Sequence, residues 1–104
     1  MSVIMLQWAE GDPRRLEEYA AQNPDAIQEI IAQAKEHGLI AHRFYGSEGK
    51  ILIADEWPDE ESFVRFAEAA HSRIEPMFAA AGVTAEPHTI WQKLETHDEV
   101  GWGA

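Results

Sequence analysis

ILIADEWPDEESFVRF, Ile51 to Phe66, packs a strand, a turn and the start of a helix into one short run. The β-branched and apolar residues Ile51 to Ala54 predict a strand that ends at Asp55, Glu56 and Trp57. Pro58 breaks it. Asp59 is placed to cap a helix, with Glu60 and Glu61 favoured at its positive end. Phe63, Phe66, Ala67 and Ala70 then recur at helical spacing. The same face continues through Ile74, Met77, Phe78 and Ala81 to a stop at Gly82. Pro76 interrupts it. Ser72 with Glu75 three residues on forms a capping box, so a break is expected near His71–Arg73.

Outward from this run the punctuation is regular. LIAHRFYG (39–46) and KILIADEW (50–57) are strand-like and joined by SEG, which predicts a hairpin. SVIMLQWAE (2–10) is a first strand. Asp12 and Pro13 open a helix with Leu16, Tyr19 and Ala20 on one face. Asn23 is a possible cap, and Pro24 restarts the helix, whose apolar face is Ile27, Ile30, Ile31 and Ala34. Gly38 ends it. VTAEPHTIWQKLE (83–95) is a last strand, and its Pro87 predicts an edge position or a bulge. The order β-α-β-β-α-β predicts an α+β, ferredoxin-like domain with a four-stranded antiparallel sheet over residues 1–95, followed by a tail, 96–104. Both faces of the sheet are apolar: Val3 and Met5 oppose Ile4, Leu6 and Trp8, and Ile51, Ile53 and Trp57 oppose Leu52 and Ala54. Two helices cover one face only, so the other predicts a partner, most simply a homodimer.

The chain has 104 residues, 19 acidic against 8 Lys and Arg, and a formal net charge of −11. That charge disfavours nucleic acid and anionic membranes. No cysteine is present, which removes disulfides, thiolate metal sites and a Cys nucleophile. MSVIMLQW lacks the basic region and apolar length of a signal peptide, and no apolar run is long enough to span a bilayer. A cytoplasmic protein is the expectation. No phosphate loop, Ser-His-Asp order or zinc spacing occurs, so neither metal nor cofactor is expected.

Trp57 reads either as a core aromatic or as a pocket wall with its indole N–H free for a ligand. His71 shares the Phe63 and Ala67 face if the helix continues, where an imidazole could serve as a general base. His42 and Arg43 point to opposite sides of their strand. Arg43 is a candidate partner for Asp55 or Glu56 across the hairpin, and His42 a candidate base in a cavity. Gln7 interrupts the Val3–Met5 face and suits either a core hydrogen bond or a ligand contact. Asp55 and Glu56 point apart and cannot share a proton. His88 and His97 lack companions at metal-ligand spacing. Trp102, between glycines, suits a fold-back onto a partner subunit or a cavity mouth.

Ile51 to Phe66 resembles a motif of the dimeric α+β barrel superfamily, and within it of antibiotic-biosynthesis-monooxygenase-like domains: an apolar strand ending in acid-Trp, an acidic turn and a Phe-containing helix. Length and element order fit from Ser2 to Glu95. The resemblance implies a cavity between sheet and helices in each subunit. It also implies oxidation of a small aromatic or polyketide-like substrate by O2 without a cofactor. Trp57 matches a cavity-wall tryptophan. Phe63 falls where a tyrosine relays protons, and Ile53 where an asparagine is expected. In a haem-degrading branch the nearest equivalents of the working residues are Gln7, Phe66 and His71. Other relatives imply a non-catalytic ligand-binding or interaction domain. The expected site therefore has Trp57, Phe63, Phe66 and Met77 as walls and His71, His42 or Gln7 as its polar group.

Overall fold

The structure, a computed structural model, describes residues 1–102. Strand β1 (Val3–Glu10) leads through helices α1 (Pro13–Gln22) and α2 (Pro24–Glu36) to β2 (Ala41–Ser47) and β3 (Lys50–Trp57). Helices α3 (Glu60–Ala69) and α4 (His71–Ala81) then lead to β4 (Thr84–Ala85) and β5 (Thr89–Trp91). The sheet runs β2-β3-β1, with β4 and β5 both paired to the remaining edge of β1, and every pairing is antiparallel. This is the expected α+β, ferredoxin-like order, with each of its two helices divided in two.

The hairpin fixes the register. Gly49, at φ +68°, lets Glu48–Gly49 close a two-residue loop, so Ser47 faces Lys50. Counting back along both strands sets His42 opposite Asp55 and Arg43 opposite Ala54.

The predicted last strand is two short pieces. Ala85 faces Ala9, while Thr89 faces Leu6, so the edge carries one residue more than β1 does over the same span. The surplus is a bulge at Glu86–His88 with Pro87, which has no N–H for the ladder, inside it. Glu86 N–H donates to the Trp8 carbonyl (2.8 Å), and Gln7 Nε2 donates to the Glu86 carbonyl (3.0 Å), tying the bulge to β1.

Asp12 and Asp59 cap α1 and α3 as expected, accepting from Arg14 N–H (3.0 Å) and Ser62 N–H (2.8 Å). Two expected caps differ. The Asn23 side chain donates backwards to the Tyr19 carbonyl (3.0 Å), closing α1 rather than opening α2. Ser72 does not cap α4: Ala70 ends α3 and begins α4, its carbonyl accepting from Arg73 and Ile74 N–H (2.9 Å each). Ala70 is fully buried, so packing decides the joint there. Pro76 lies inside α4 and removes the bond to the Ser72 carbonyl, which solvent can satisfy because Ser72 is exposed.

All four helices lie on one face of the sheet. Val3, Met5, Ile51, Ile53 and Trp57 from the strands close on Leu16, Ile30, Phe63, Phe66 and Met77 from the helices. The opposite face is open and apolar: Trp8, Leu52 and Tyr45 form a row across three strands, and Ile4 and Trp91 a second pair. Trp8 is 52% exposed and Trp91 55%. Among the described residues no helix is long and apolar enough to cross a membrane. In the tail, Lys93 pairs with Glu99 (3.0 Å), and Trp102 is 80% exposed and forms no part of its own chain's cavity wall. The last two tail residues lie outside the described residues.

Candidate active site

Between the inner sheet face and α2, α3 and α4 lies a cavity of about 1000 Å³, at the upper end of the range for small-molecule sites. Met5, Ile53 and Trp57 line it from the sheet, and Ile30, Phe63, Phe66 and Met77 from the helices. The wall is predominantly apolar, and the polar groups on it are few. Trp57 is fully buried. Its ring lies 5.4 Å from Phe66 and 5.9 Å from Phe63, centroid to centroid, in the tilted and edge-on arrangements that aromatic pairs prefer.

A buried hydrogen-bonded chain crosses this wall. Trp57 Nε1 donates to Asp55 Oδ2 at 3.1 Å, and His42 Nδ1 lies 2.6 Å from Asp55 Oδ1. Asp55 is 6% exposed and the His42 side chain 23%. A carboxylate so deep requires donors on both oxygens, and it has them. A carboxylate oxygen accepts, which places a His42 N–H at Nδ1 and leaves Nε2 as the ring nitrogen that Asp55 does not engage. The arrangement fixes the orientation of the imidazole, as acid–base chemistry at a histidine needs. Phe44 packs edge-on against His42 at 4.8 Å and holds the ring plane.

A second imidazole–carboxylate pair stands at the bulge. His88 Nε2 lies 2.9 Å from Glu60 Oε2 in the first turn of α3, and its ring packs edge-on to Phe63 at 4.8 Å. The His88 side chain is 27% exposed and lines the cavity, whereas Glu60 is 57% exposed.

The expected residues therefore divide. Trp57, Phe63, Phe66 and Met77 are brought together on the wall, with His42 and Gln7 beside them. The Trp57 N–H is not free for a ligand, because Asp55 accepts it. Gln7 Nε2 is likewise taken by Glu86. His71 stands at the mouth, 76% exposed and 3.2 Å from Glu75 one turn on. The joint at Ala70 resets the helical phase, so His71 leaves the face that Phe63 and Phe66 share. Arg43 pairs with neither acid: its guanidinium donates to the Tyr45 hydroxyl at 3.1 Å on the outer face, and Glu56 accepts from the Ser2 hydroxyl. Asp55 and His88 were not expected in the site. A two-residue reading of the hairpin loop would have set Asp55 opposite His42. Nothing local in the sequence pairs His88 with Glu60.

For haem, the set Gln7, Phe66 and His71 does not form a cradle: His71 is turned to Glu75 at the rim and Gln7 is bonded to the bulge. Among the described residues no group of three His, Asp or Glu side chains converges to hold a metal ion.

No protein-family profile matches the chain, and no curated protein does. Solved structures match it over nearly its whole length. SnoaB, a cofactor-independent oxygenase from Streptomyces nogalater, superposes with a TM-score of 0.59 at 18% identity, over 94% of this chain and 98% of that one. An antibiotic biosynthesis monooxygenase gives 0.59 at 12% identity, over 90% and 99%. A dimeric ferredoxin-like protein from an uncultured marine organism gives 0.61 at 12%, over 88% and 87%. At these identities the likeness is one of fold.

Proposed function

We propose that the chain is a cofactor-independent, monooxygenase-like enzyme that oxidises a small, flat, electron-rich aromatic or polyketide-like molecule with O2 inside the cavity. The observation that carries this is the 2.6 Å pairing of His42 with buried Asp55 on the wall of an apolar cavity of about 1000 Å³. The same-fold relative SnoaB, a cofactor-independent oxygenase, supports the reaction class. Ile53 and Phe63 carry no polar group to relay protons, and His42 is the base in their place. His42 Nε2 takes the acidic proton of the substrate. The resulting carbanion passes one electron to O2, and the radical pair combines to a carbon-bound peroxide. Trp57, Phe63, Phe66 and Met77 hold the ring system and exclude water, so the protein contributes orientation and a proton acceptor.

The open sheet face is the proposed homodimer interface. Its Trp8, Tyr45, Ile4 and Trp91 are costly to leave in water, and the structural relatives include dimeric ferredoxin-like proteins.

Oxygen uptake with anthrone and 1,4-dihydroxynaphthalene as probes tests the reading. Wild-type protein is expected to speed uptake over buffer, and His42→Gln to abolish the gain. Uptake no faster than buffer with either probe refutes it. One observation favours a second reading, a non-catalytic small-ligand carrier: the Trp57 N–H and the Gln7 amide are both spent inside the protein, leaving few directional contacts. Native mass spectrometry showing a retained aromatic ligand, together with no uptake, selects that reading.

A further inference from the structure

We infer that the cavity accepts only aromatic molecules without an anionic group, so that a free carboxylate, sulfate or phosphate on the ring system bars entry; this rests on the cavity being a ligand site, as the reading above requires. The charges on the wall carry the inference. None of the chain's 8 Lys and Arg side chains lines the cavity. On the two rim helices, Arg65 is held by Glu61, and Arg73 is directed at the Glu29 carbonyl, 3.5 Å away. The cavity wall therefore draws its potential cations from three imidazoles, and each already faces an acid of its own. His42 lies 2.6 Å from Asp55, His88 2.9 Å from Glu60 and His71 3.2 Å from Glu75. A further acid, Glu68, stands exposed on the rim with no ion-pair partner among the described residues.

This decides which charges the site can hold. A carboxylate moved against an apolar wall needs donors or a cation in place of its water, and an unpaired one is costly. Here a protonated His42 already serves Asp55, itself 6% exposed, and the chain's net charge of −11 adds repulsion on the approach. The Trp57 indole and the Gln7 amide offer no relief, since both donate within the protein. An uncharged ring system meets none of these penalties. Nor does its ionisation inside the cavity. A proton passed from substrate to His42 creates both charges at once and leaves the net charge of the site unchanged. The cavity therefore admits the neutral form of a substrate and makes the anion in place. The rule applies equally to an enzyme and to a carrier.

The test is equilibrium dialysis of full-length protein at neutral pH against two anthracenes, one bearing a hydroxymethyl group and the other a carboxylate at the same ring carbon. Wild-type protein is expected to bind the alcohol, and to bind the carboxylate roughly 10²-fold more weakly. Asp55→Asn removes the acid that His42 faces and leaves the imidazolium to the ligand. It is expected to tighten carboxylate binding about tenfold and to keep alcohol binding within about twofold of wild type. Glu68→Lys, at an exposed position, is expected to narrow the ratio by about threefold. It also carries the test should circular dichroism show that Asp55→Asn does not fold. Wild-type binding of the carboxylate within about threefold of the alcohol overturns the charge rule and leaves the functional readings intact. A wide ratio that neither variant narrows overturns it too, because desolvation alone then rejects the anion. Wild-type binding of neither probe removes the aromatic site on which the rule and both functional readings rest.

Discussion

Asp55 faces His42 across the β2–β3 pairing and accepts from its Nδ1 at 2.6 Å, while its other oxygen accepts from Trp57 at 3.1 Å. One carboxylate thereby couples an imidazole, a cavity wall and the core. Its two duties can be separated by substitution, because an amide keeps the shape and loses the charge.

On the oxygenase reading, Asp55→Asn is expected to lower oxygen uptake by roughly 10²–10⁴-fold, since the amide no longer holds the His42 ring as the carboxylate does. The fold should lose only about 1 kcal/mol, because an amide oxygen still accepts from Trp57. Asp55→Leu leaves two buried donors unpaired, at about 1–3 kcal/mol each. Urea unfolding beside uptake rates checks the contrast. Equal activity losses with wild-type stability in both variants would contradict the structural half of the argument.

Trp57→Ala should cost about 3–5 kcal/mol, the usual range for a buried tryptophan. It removes the largest fully buried side chain and a donor to Asp55 together. That is a large part of the stability of a small domain. Denaturant melts with an unchanged slope would report the loss. A cost under about 1 kcal/mol would mean that Phe63 and Phe66 close the space left by the indole.

The sheet face makes a different claim. Trp8, Leu52 and Tyr45 lie side by side across three strands, with Trp8 half exposed. Trp8→Glu puts a charge at the β1 end of that row. Sedimentation equilibrium is expected to find wild type dimeric and the variant monomeric, with the helical circular dichroism signal kept. A variant that stays dimeric would place the interface elsewhere.

Much of this architecture was legible in the chain because local signals agree. Proline and glycine bound nearly every element, Asp12 and Asp59 cap where their positions predict, and the two-faced strands announce an uncovered surface. The apolar face of Phe63, Phe66 and Met77 follows from helical spacing, whereas the cavity that they and Trp57 wall is what the family resemblance implies. The chemistry was less legible because it depends on long-range pairing. Asp55 meets His42 only when the loop is counted as two residues, and Glu60 meets His88, 28 residues on, across two helices. His71 lies at the cavity mouth because the joint at Ala70 is set by burial, a tertiary effect that overrides the Ser72 capping signal.

Acid should weaken the fold partly through Asp59. Its carboxyl is held below the ordinary value of 3.8, first by the Ser62 backbone N–H, then by the Ser62 hydroxyl, with the Arg65 charge adding to both. A depressed native value means that the ionised form is favoured by folding. The stabilisation is therefore complete above the ordinary value and is lost as pH falls through the lowered one. Asp59→Asn keeps a capping oxygen without the titration. Thermal melts of both proteins should differ by a constant amount above roughly pH 5, and the two curves should converge between about pH 4 and 2. The other acids of this strongly acidic chain are common to both, so their effects largely cancel in the difference. Parallel curves across that window would show that the Asp59 carboxylate adds nothing to α3 beyond what a neutral cap supplies.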